Sequence, residues 1–402
     1  MAFNLKRFLK RSYQARFAAW LLVLNWVDML AMVIPVRPHA KTRRRVVFVK
    51  MDAIGDYVIW SSTFRAIDIG YPADEYERVL VANDAFEELA KNEPIFDKAI
   101  FLSWERFAVD PIYRFRAVRN VRRVGADIVI NPRFTREFLW SDSIVRCSGA
   151  KERIGSVGID NHMTPMQERI TQGWYTTLVA APKRNEHELV SLQNFLDAIE
   201  PEKANTLEQP FVDLRSAPPT GAPEADYAVL FLGASSVRKM FPVEKFAAVG
   251  EFIATEYGLR IVICGGPGEE KLGEAFRRRS SEEVIDLTGR TTLGELAALI
   301  KNASLVVAND TGAAHFAAVS ETPTVVLTPG NHVGRFFPYP DIPAASNIRQ
   351  LSVLNEMPCF GCGWDCIYTD LADGQAWPCV EGVEVDNVIA SIAKVLRNSG
   401  EN

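Results

Sequence analysis

The stretch Leu305–Phe316 reads Leu-Val-Val-Ala-Asn-Asp-Thr-Gly-Ala-Ala-His-Phe and decides the fold. An uninterrupted apolar run ends in polar residues and a glycine, and small residues then lead into an apolar segment with helical spacing. This order predicts a buried parallel strand, a tight turn and a helix N-terminus. Backbone N–H groups and the helix dipole at such a turn suit a phosphate. The alternative is an ordinary helix cap by Asp310 or Thr311, with His315 packed in the core.

Strand and helix patterns alternate on both sides of this stretch. The first series begins with the apolar run Arg45–Met51, and a second series restarts at Ala228–Leu232. Alternation of this kind predicts two doubly wound α/β halves that face a cleft, with ligands beyond the carboxyl ends of the strands. Between them lies a Pro-, Ala- and Glu-rich stretch without periodicity, which is typical of a linker. The predicted segments are a leader (1–44), an N-terminal Rossmann-like domain (45–200), a linker (201–226) and a C-terminal domain (227–402) with a Cys-rich loop (359–379).

The leader differs from the rest of the chain in charge. Residues 1–45 contain ten Lys or Arg and a single acid, Asp28, whereas the whole chain of 402 residues carries a net charge of −5. Because residues 1–45 contribute +9, residues 46–402 carry −14 and are acidic. Nucleic-acid binding is disfavoured because the body is acidic and shows no groove pattern of alternating aromatic and basic residues.

Within the leader, the mostly apolar stretch Phe17–Ile34 is about long enough to span a bilayer. Asn25 and Asp28 interrupt it one helical turn apart, and basic residues flank it, which favours an amphipathic helix lying in a membrane interface. The alternatives are a helix docked on the body, a true span, and a cleaved signal peptide. The signal peptide is the weakest, because Asp28 would fall inside its apolar region.

Two further turns carry polar groups at strand ends. The loop Gly233–Pro242 presents Ser235, Ser236 and Lys239, and hydroxyls with an ammonium suit a diphosphate; a polar surface loop is the alternative. Asp56 follows Gly55 at a predicted helix start and is a candidate general base. Its plainer role is an acid in the first turn of the helix, and Asp52 is an alternative base.

Four cysteines are concentrated near the C-terminus, with the spacing C-x2-C-x3-C-x12-C. Thiols at this spacing could hold a structural zinc ion or an iron–sulfur cluster, although no standard ribbon matches it closely. Disulfides and four reduced, unligated thiols are the alternatives. The residues are Cys359, Cys362, Cys366 and Cys379.

Three ordered motifs resemble glycosyltransferase family 9, the ADP-heptose:lipopolysaccharide heptosyltransferases. They run from Phe48 to Ile59, from Gly233 to Pro242 and from Asn309 to His315. The resemblance implies a GT-B fold and an inverting transfer that needs no metal for its chemistry. Phe241 stands where many relatives have Trp, and the leader lies outside the resemblance.

The resemblance also implies roles for single residues. Asp56 would be the catalytic base, and Lys239 would hold the diphosphate near Ser235 and Ser236. Asp310 would contact the donor sugar, with His315 supporting its turn. The remaining implied contacts are backbone N–H groups of Thr311 and Gly312 to phosphate, Glu269 or Glu270 to the ribose, and the loop 289–292, with Thr291, beside adenine.

The implied function is transfer of a heptose or similar sugar from ADP-heptose to a lipopolysaccharide core or related lipid-linked glycan. The enzyme would lie in the cytoplasm, attached peripherally to the inner membrane. A GT-B transferase for another nucleotide sugar, a GT-B epimerase and a non-catalytic nucleotide-sugar-binding relative are the alternatives. Because Asp56, Lys239 and Asp310 are all present, the non-catalytic alternative is the least favoured.

Overall fold

A computed structural model describes residues 19–40, 42–159, 161–199, 207–212, 216–331, 333–363 and 366–397. They form two six-stranded sheets in which every strand pair is parallel. The orders are β3-β2-β1-β4-β5-β6 and β12-β11-β10-β7-β8-β9, so the predicted α/β fold class is confirmed. The strands are β1 (Arg44–Lys50), β2 (Tyr76–Asn83), β3 (Lys98–Leu102), β4 (Ile128–Asn131), β5 (Glu152–Ser156), β6 (Thr177–Val179), β7 (Tyr227–Phe231), β8 (Arg260–Cys264), β9 (Val284–Asp286), β10 (Leu305–Asn309), β11 (Thr324–Leu327) and β12 (Gln350–Val353).

Helices connect the strands, as parallel pairing requires. The first, α1, covers residues 19–33. The others are α2 (Ile54–Trp60), α3 (Phe64–Gly70), α4 (Glu87–Ala90), α5 (Trp104–Val109), α6 (Pro111–Val124), α7 (Ser141–Cys147), α8 (Pro165–Gln172), α9 (Glu188–Ile199), α10 (Val243–Tyr257), α11 (Glu270–Arg277), α12 (Leu293–Lys301), α13 (Gly312–Val319), α14 (Pro378–Glu381) and α15 (Val385–Arg397).

The chain divides into two compact units that do not follow chain order. Unit 1 contains residues 1–52, 67–182 and 197–203, and unit 2 contains Ala53–Ala66, Lys183–Leu196 and Ala204–Asn402. The two sheets lie before residue 200 and after residue 226, in agreement with the predicted order. Helix α2, however, packs with unit 2 although its neighbours in sequence belong to unit 1. The predicted segment boundaries themselves stay a prediction.

The central strands of the two sheets, β1 and β10, are buried on both faces. A strand in this position needs apolar residues throughout most of its length. In unit 1, Val47 and Val49 of β1 belong to a core cluster on one face, and Phe48 packs against Tyr71 on the other, with 5.7 Å between ring centroids. In unit 2, the whole of β10 is buried. An uninterrupted apolar run is therefore the correct signature of these strands, as the sequence predicted.

Helix α1 packs on unit 1 through Leu24, Asp28 and Ala31, which are buried. The carboxylate of Asp28 accepts two hydrogen bonds of 2.7 Å from the guanidinium of Arg114 in α6. The polar stripe of the predicted interfacial helix thus faces protein, and the expected amphipathic arrangement is not confirmed. Within the described ranges, no helix combines the length and apolarity needed to cross a bilayer. Residues 1–18 and 41 of the predicted leader lie outside the described residues.

Candidate active site

Asn309 ties together the ends of β7 and β10, which are neighbours in the second sheet. Its amide nitrogen donates to the carbonyls of Leu232 and Gly233 at 2.9 and 3.1 Å. Its carbonyl oxygen accepts from the backbone N–H of Phe241 at 2.9 Å. The side chain is fully buried, so it fixes the loop 233–242 to the strand end. Sequence reasoning assigned Asn309 no role, although a lone amide after a buried strand was the available signal.

Lys239 and Asp310 form a buried ion pair at this edge of the sheet. The ammonium nitrogen lies 3.1 Å from a carboxylate oxygen of Asp310, and both side chains are more than nine-tenths buried. Lys239 ends a short 3-10 turn, Val237–Lys239, and Asp310 directly follows β10. An ammonium has three donors, so its pairing with one carboxylate leaves donors for a phosphate. The two residues that the sequence singled out on separate loops are therefore brought into contact.

The helix that follows Asp310 begins without a side-chain cap. Thr311 is the N-cap residue of α13, but it makes no side-chain capping hydrogen bond. Its hydroxyl oxygen is buried and finds no partner in the part of the chain that the structure describes. An ordinary cap by Thr311 is thus not what the structure shows. The start of α13 keeps the backbone donors that suit an anion.

The serines of the lysine loop differ in their surroundings. The hydroxyl of Ser236 accepts from the backbone N–H of Arg238 at 3.3 Å and caps the 3-10 turn, while Ser235 is exposed. The guanidinium of Arg238 donates to the carbonyls of Ala372 and Gln375 at 2.9 and 2.8 Å. Arg238 therefore anchors a neighbouring loop, and Lys239 supplies the buried cation.

Asp56 is the third residue of α2 and is half-buried. Its carboxylate accepts from the backbone N–H of Ala53 at 3.3 Å, as a first-turn acid does. The start of α2 packs closely on α13: a Cβ atom on Gly55 would lie 2.4 Å from the ring of His315, so no side chain fits there. Likewise, a Cβ atom on Gly312 would lie 3.2 Å from Ile54. The candidate base therefore belongs to the same compact unit as the turn at residues 309–312.

Asp52, the alternative base, is held in a buried ion network of unit 1. It pairs with Lys50, and its other carboxylate oxygen lies 2.8 Å from the guanidinium of Arg133. Both carboxylate oxygens of Asp52 thus face cations within unit 1, which favours a structural role for this residue.

His315 lies in an aromatic cluster behind the turn. Its ring stacks on Phe337 at 4.4 Å between centroids, and Nδ1 is 2.9 Å from the hydroxyl of Tyr339. Burial lowers the pKa of His315 to about 3, so the ring is neutral at physiological pH. A neutral, packed histidine is consistent with the supporting role that the resemblance implies.

Glu269 and Glu270 occupy different places at the start of α11. The Glu269 carboxylate accepts from the backbone N–H of Gly266 at 2.6 Å and fills the space where a Cβ atom on Gly233 would stand. Burial raises the pKa of Glu269. Glu270 is exposed and accepts from Gly268 at 3.0 Å. Thr291 is half-buried in the turn before α12.

The four cysteines of the C-terminal loop line one small pocket together with Tyr368 and Trp377. Burial raises the pKa of the Cys362 and Cys379 thiols. In the described residues, no three His, Cys, Asp or Glu side chains are arranged to hold a metal ion. The thiols are thus gathered, as expected, but the geometry of a metal site is not shown.

Comparison with known proteins identifies the family. Residues 114–363 match the model of glycosyltransferase family 9 (heptosyltransferase), which is more than half of the chain. The chain belongs to glycosyltransferase family 9. Lipooligosaccharide heptosyltransferase 2 of Haemophilus influenzae is 33% identical over 93 residues, covering 22% of this family 9 chain and 27% of that protein. The chain spans between 27% and 35% of the length of the curated relatives that it matches.

Solved structures confirm that the fold is GT-B. The E. coli ADP-heptose LPS heptosyltransferase II has a TM-score of 0.62 and 15% identity, covering 88% of this family 9 chain and 99% of that chain. The iron-containing dodecameric glycosyltransferase TibC from enterotoxigenic E. coli has a TM-score of 0.51 and 15% identity, covering 90% and 78%. These likenesses extend over both sheets and concern the fold alone.

Proposed function

We propose that this chain is an inverting glycosyltransferase that transfers a heptose, or a similar sugar, from ADP-heptose to a lipopolysaccharide core or related lipid-linked glycan. The observation that carries the proposal is the buried Lys239–Asp310 pair beside the uncapped start of α13. A cation and free helix donors together suit a diphosphate leaving group. Membership of family 9 and the heptosyltransferase names of the relatives support the sugar.

In this proposal, Asp56 takes the proton of the acceptor hydroxyl as its oxygen attacks the anomeric carbon. Attack from the face opposite the nucleotide inverts that centre, and ADP leaves with its bonding electron pair. Lys239 and the backbone N–H groups of Thr311 and Gly312 stabilise the charge that develops on the diphosphate. The base and the leaving-group site are both held by unit 2, so little reorganisation is needed.

The other contacts are proposals of the same kind. Asp310 binds hydroxyls of the donor sugar, His315 supports the turn, and Ser235 and Ser236 border the diphosphate. Of the two acids, we favour Glu269 for the ribose, because it touches Gly233 of the lysine loop. Thr291 would lie beside adenine.

The proposed acceptor also implies a location for the enzyme in the cell. A lipid-linked glycan that is assembled from a nucleotide sugar places the chain in the cytoplasm, attached peripherally to the inner membrane. The acidic body outside the leader does not fit a nucleic-acid partner.

We expect calorimetric titration to show selective binding of ADP over UDP and GDP, and radiolabelled ADP-heptose to be transferred to a heptose-deficient lipopolysaccharide acceptor. Adenine selectivity follows if the loop 289–292 borders the base. Selective UDP or GDP binding would keep a GT-B transferase and remove ADP-heptose. If none of the three binds, the non-catalytic alternative replaces this proposal.

The proposed chemistry uses no metal, and the cysteine loop has a separate role. We propose that Cys359, Cys362, Cys366 and Cys379 bind a structural zinc ion or an iron–sulfur cluster that stabilises the loop. Four thiols around one pocket support this, and the structure resembles TibC, which is iron-containing.

Elemental analysis of protein purified without chelators tests the metal site. We expect either about one zinc per chain or about two to four irons with acid-labile sulfide, and loss of that metal in Cys362→Ser. Cys147→Ala, which removes a buried thiol elsewhere, is the matched control and should keep the metal. Substoichiometric metal in the wild type, or equal metal in Cys362→Ser, would contradict the proposal.

A further inference from the structure

The rotation of α1 about its own axis is fixed by charge. Besides the two hydrogen bonds from Arg114, the Asp28 carboxylate accepts one from the hydroxyl of Ser143 at 2.5 Å. Both members of the ion pair are almost completely buried. Turning the helix would leave an uncompensated buried charge, which is strongly unfavourable. Asn25, on the same side, accepts from Arg146 at 2.6 Å.

With its polar residues turned inward, α1 presents apolar side chains to solvent. Their spacing of three or four residues places them on one face of the helix. The exposed fractions are 63% for Leu22, 68% for Trp26, 56% for Leu30 and 76% for Val33. This inverts the usual surface helix, whose solvent face is polar.

The apolar surface continues onto the neighbouring elements of unit 1. The indole N–H of Trp20 donates to the carbonyl of Ala108 at 2.9 Å, which joins α1 to the end of α5. Val109 and Ile112, beside this contact, are 58% and 65% exposed. Of the seventeen exposed large apolar side chains in the described part of the chain, nine lie within residues 19–33 and 104–112. We call this surface the apolar face of unit 1.

The charges around the apolar face are mainly positive. Asp28 is the single acid of residues 1–45, and its ion pair with Arg114 removes it from the surface. On α6, Arg116 is exposed one turn after Ile112, and Arg119 donates to the carbonyls of Ile34 and Pro35, just beyond the end of α1, at 3.2 and 3.3 Å. Two acids lie nearby: Asp110 is paired with Arg106 at 3.2 Å, and Glu105 is exposed. An apolar stripe with Trp, bordered by arginines, fits the interface of an anionic bilayer.

We propose that the apolar face of unit 1 docks onto an anionic phospholipid bilayer, with the side chains of Trp26 and Leu30 entering the headgroup region. The docking proposal rests on the proposed function, because a lipid-linked acceptor would lie in a membrane. A bilayer accounts for both features at once: the exposed stripe is buried in lipid and the arginines face anionic headgroups. Docking would carry the whole of unit 1 to the membrane, because α1 is fastened by a buried ion pair.

The test uses the full chain and sedimentation with phosphatidylglycerol–phosphatidylethanolamine vesicles. We expect the wild type to bind, and Trp26→Ser/Leu30→Ser to bind at least about tenfold more weakly, because two large apolar side chains are lost from the interface. The matched control is Met166→Ser/Ile170→Ser, which removes two exposed apolar side chains one turn apart on α8 and should bind like the wild type. Phosphatidylcholine vesicles should bind the wild type more weakly.

Three results would overturn the proposal. The first is equal vesicle binding by Trp26→Ser/Leu30→Ser and the wild type. The second is equal binding of the wild type to anionic and neutral vesicles. The third is a wild-type protein that forms an oligomer and does not bind vesicles, while the double variant is a monomer. The last would assign the face to a second copy of the chain. Transfer to a water-soluble acceptor fragment is measured in parallel, and it should be unchanged in the double variant. Its absence in the wild type would reject the proposed function and leave the docking result standing.

Discussion

Asp56→Asn is expected to lower kcat about 1000-fold, within the range by which a general base accelerates proton transfer. The substitution keeps the size of the side chain and an oxygen that can accept from the Ala53 N–H, so α2 keeps its first turn. What is lost is the group that takes the proton. Since the base acts in the transition state, the affinity for ADP should stay within about twofold of the wild type.

Single-turnover kinetics and calorimetry together check this prediction. The control is Asp110→Asn, which removes an equal charge from another helix start and retains a good N-cap; its kcat should be unchanged. An Asp56→Asn variant that transfers sugar at the wild-type rate would remove Asp56 from catalysis. A variant that loses ADP affinity as well would indicate a donor-binding role instead.

Lys239→Met is expected to weaken ADP binding by about 10- to 150-fold. Hydrogen bonds to charged groups contribute about 1.5–3 kcal/mol, and methionine keeps the length of the side chain without the charge. The substitution also leaves Asp310 buried without its 3.1 Å cation, which destabilises the fold. Loss of binding could therefore be confused with loss of structure.

A second variant separates the two effects. In Lys239→Met/Asp310→Asn the buried charge is removed together with its partner, so the thermal midpoint should recover most of what Lys239→Met loses. ADP affinity should not recover, because the cation is still absent. Recovery of both would mean that Lys239 acts on the fold and not on the diphosphate. Calorimetry with ADP and thermal unfolding of the same preparations decide between these outcomes.

The sequence predicted the two sheets well because parallel strands that are buried on both faces are continuous apolar runs, which can be recognised in the sequence. The runs at β1 and β10 and the turns that follow them lie where the pattern placed them. The sequence singled out Lys239 and Asp310 on separate loops without predicting a contact between them; the structure brings them within 3.1 Å because neighbouring strands bring their carboxyl ends to one edge. Local signals of this kind depend on residues that are close in the chain.

What sequence reasoning missed depends on long-range packing. The contact between Gly55 and His315 joins residues 260 positions apart, and no local pattern indicates it. In the sequence, Asn309 is one of three consecutive polar residues, and nothing local distinguishes it. Its three hydrogen bonds reach the loop after β7 and form only because β7 lies beside β10 in the sheet. In the sequence alone Asp28 is only an interruption of an apolar stretch, because its partner Arg114 lies 86 residues later.

The packing of α2 against α13 has a consequence for recombining members of this family. A chimaera whose two parents are joined in the linker would take α2 from one parent and α13, with the turn before it, from the other. Where α2 packs on α13, the residue of one parent at position 55 must leave room for the histidine ring of the other parent, because a Cβ atom on Gly55 would lie 2.4 Å from His315. A chimaera should therefore take both residues of this pair from the same parent. We expect it to fold best when residues 53–66 come from the parent that supplies the C-terminal half.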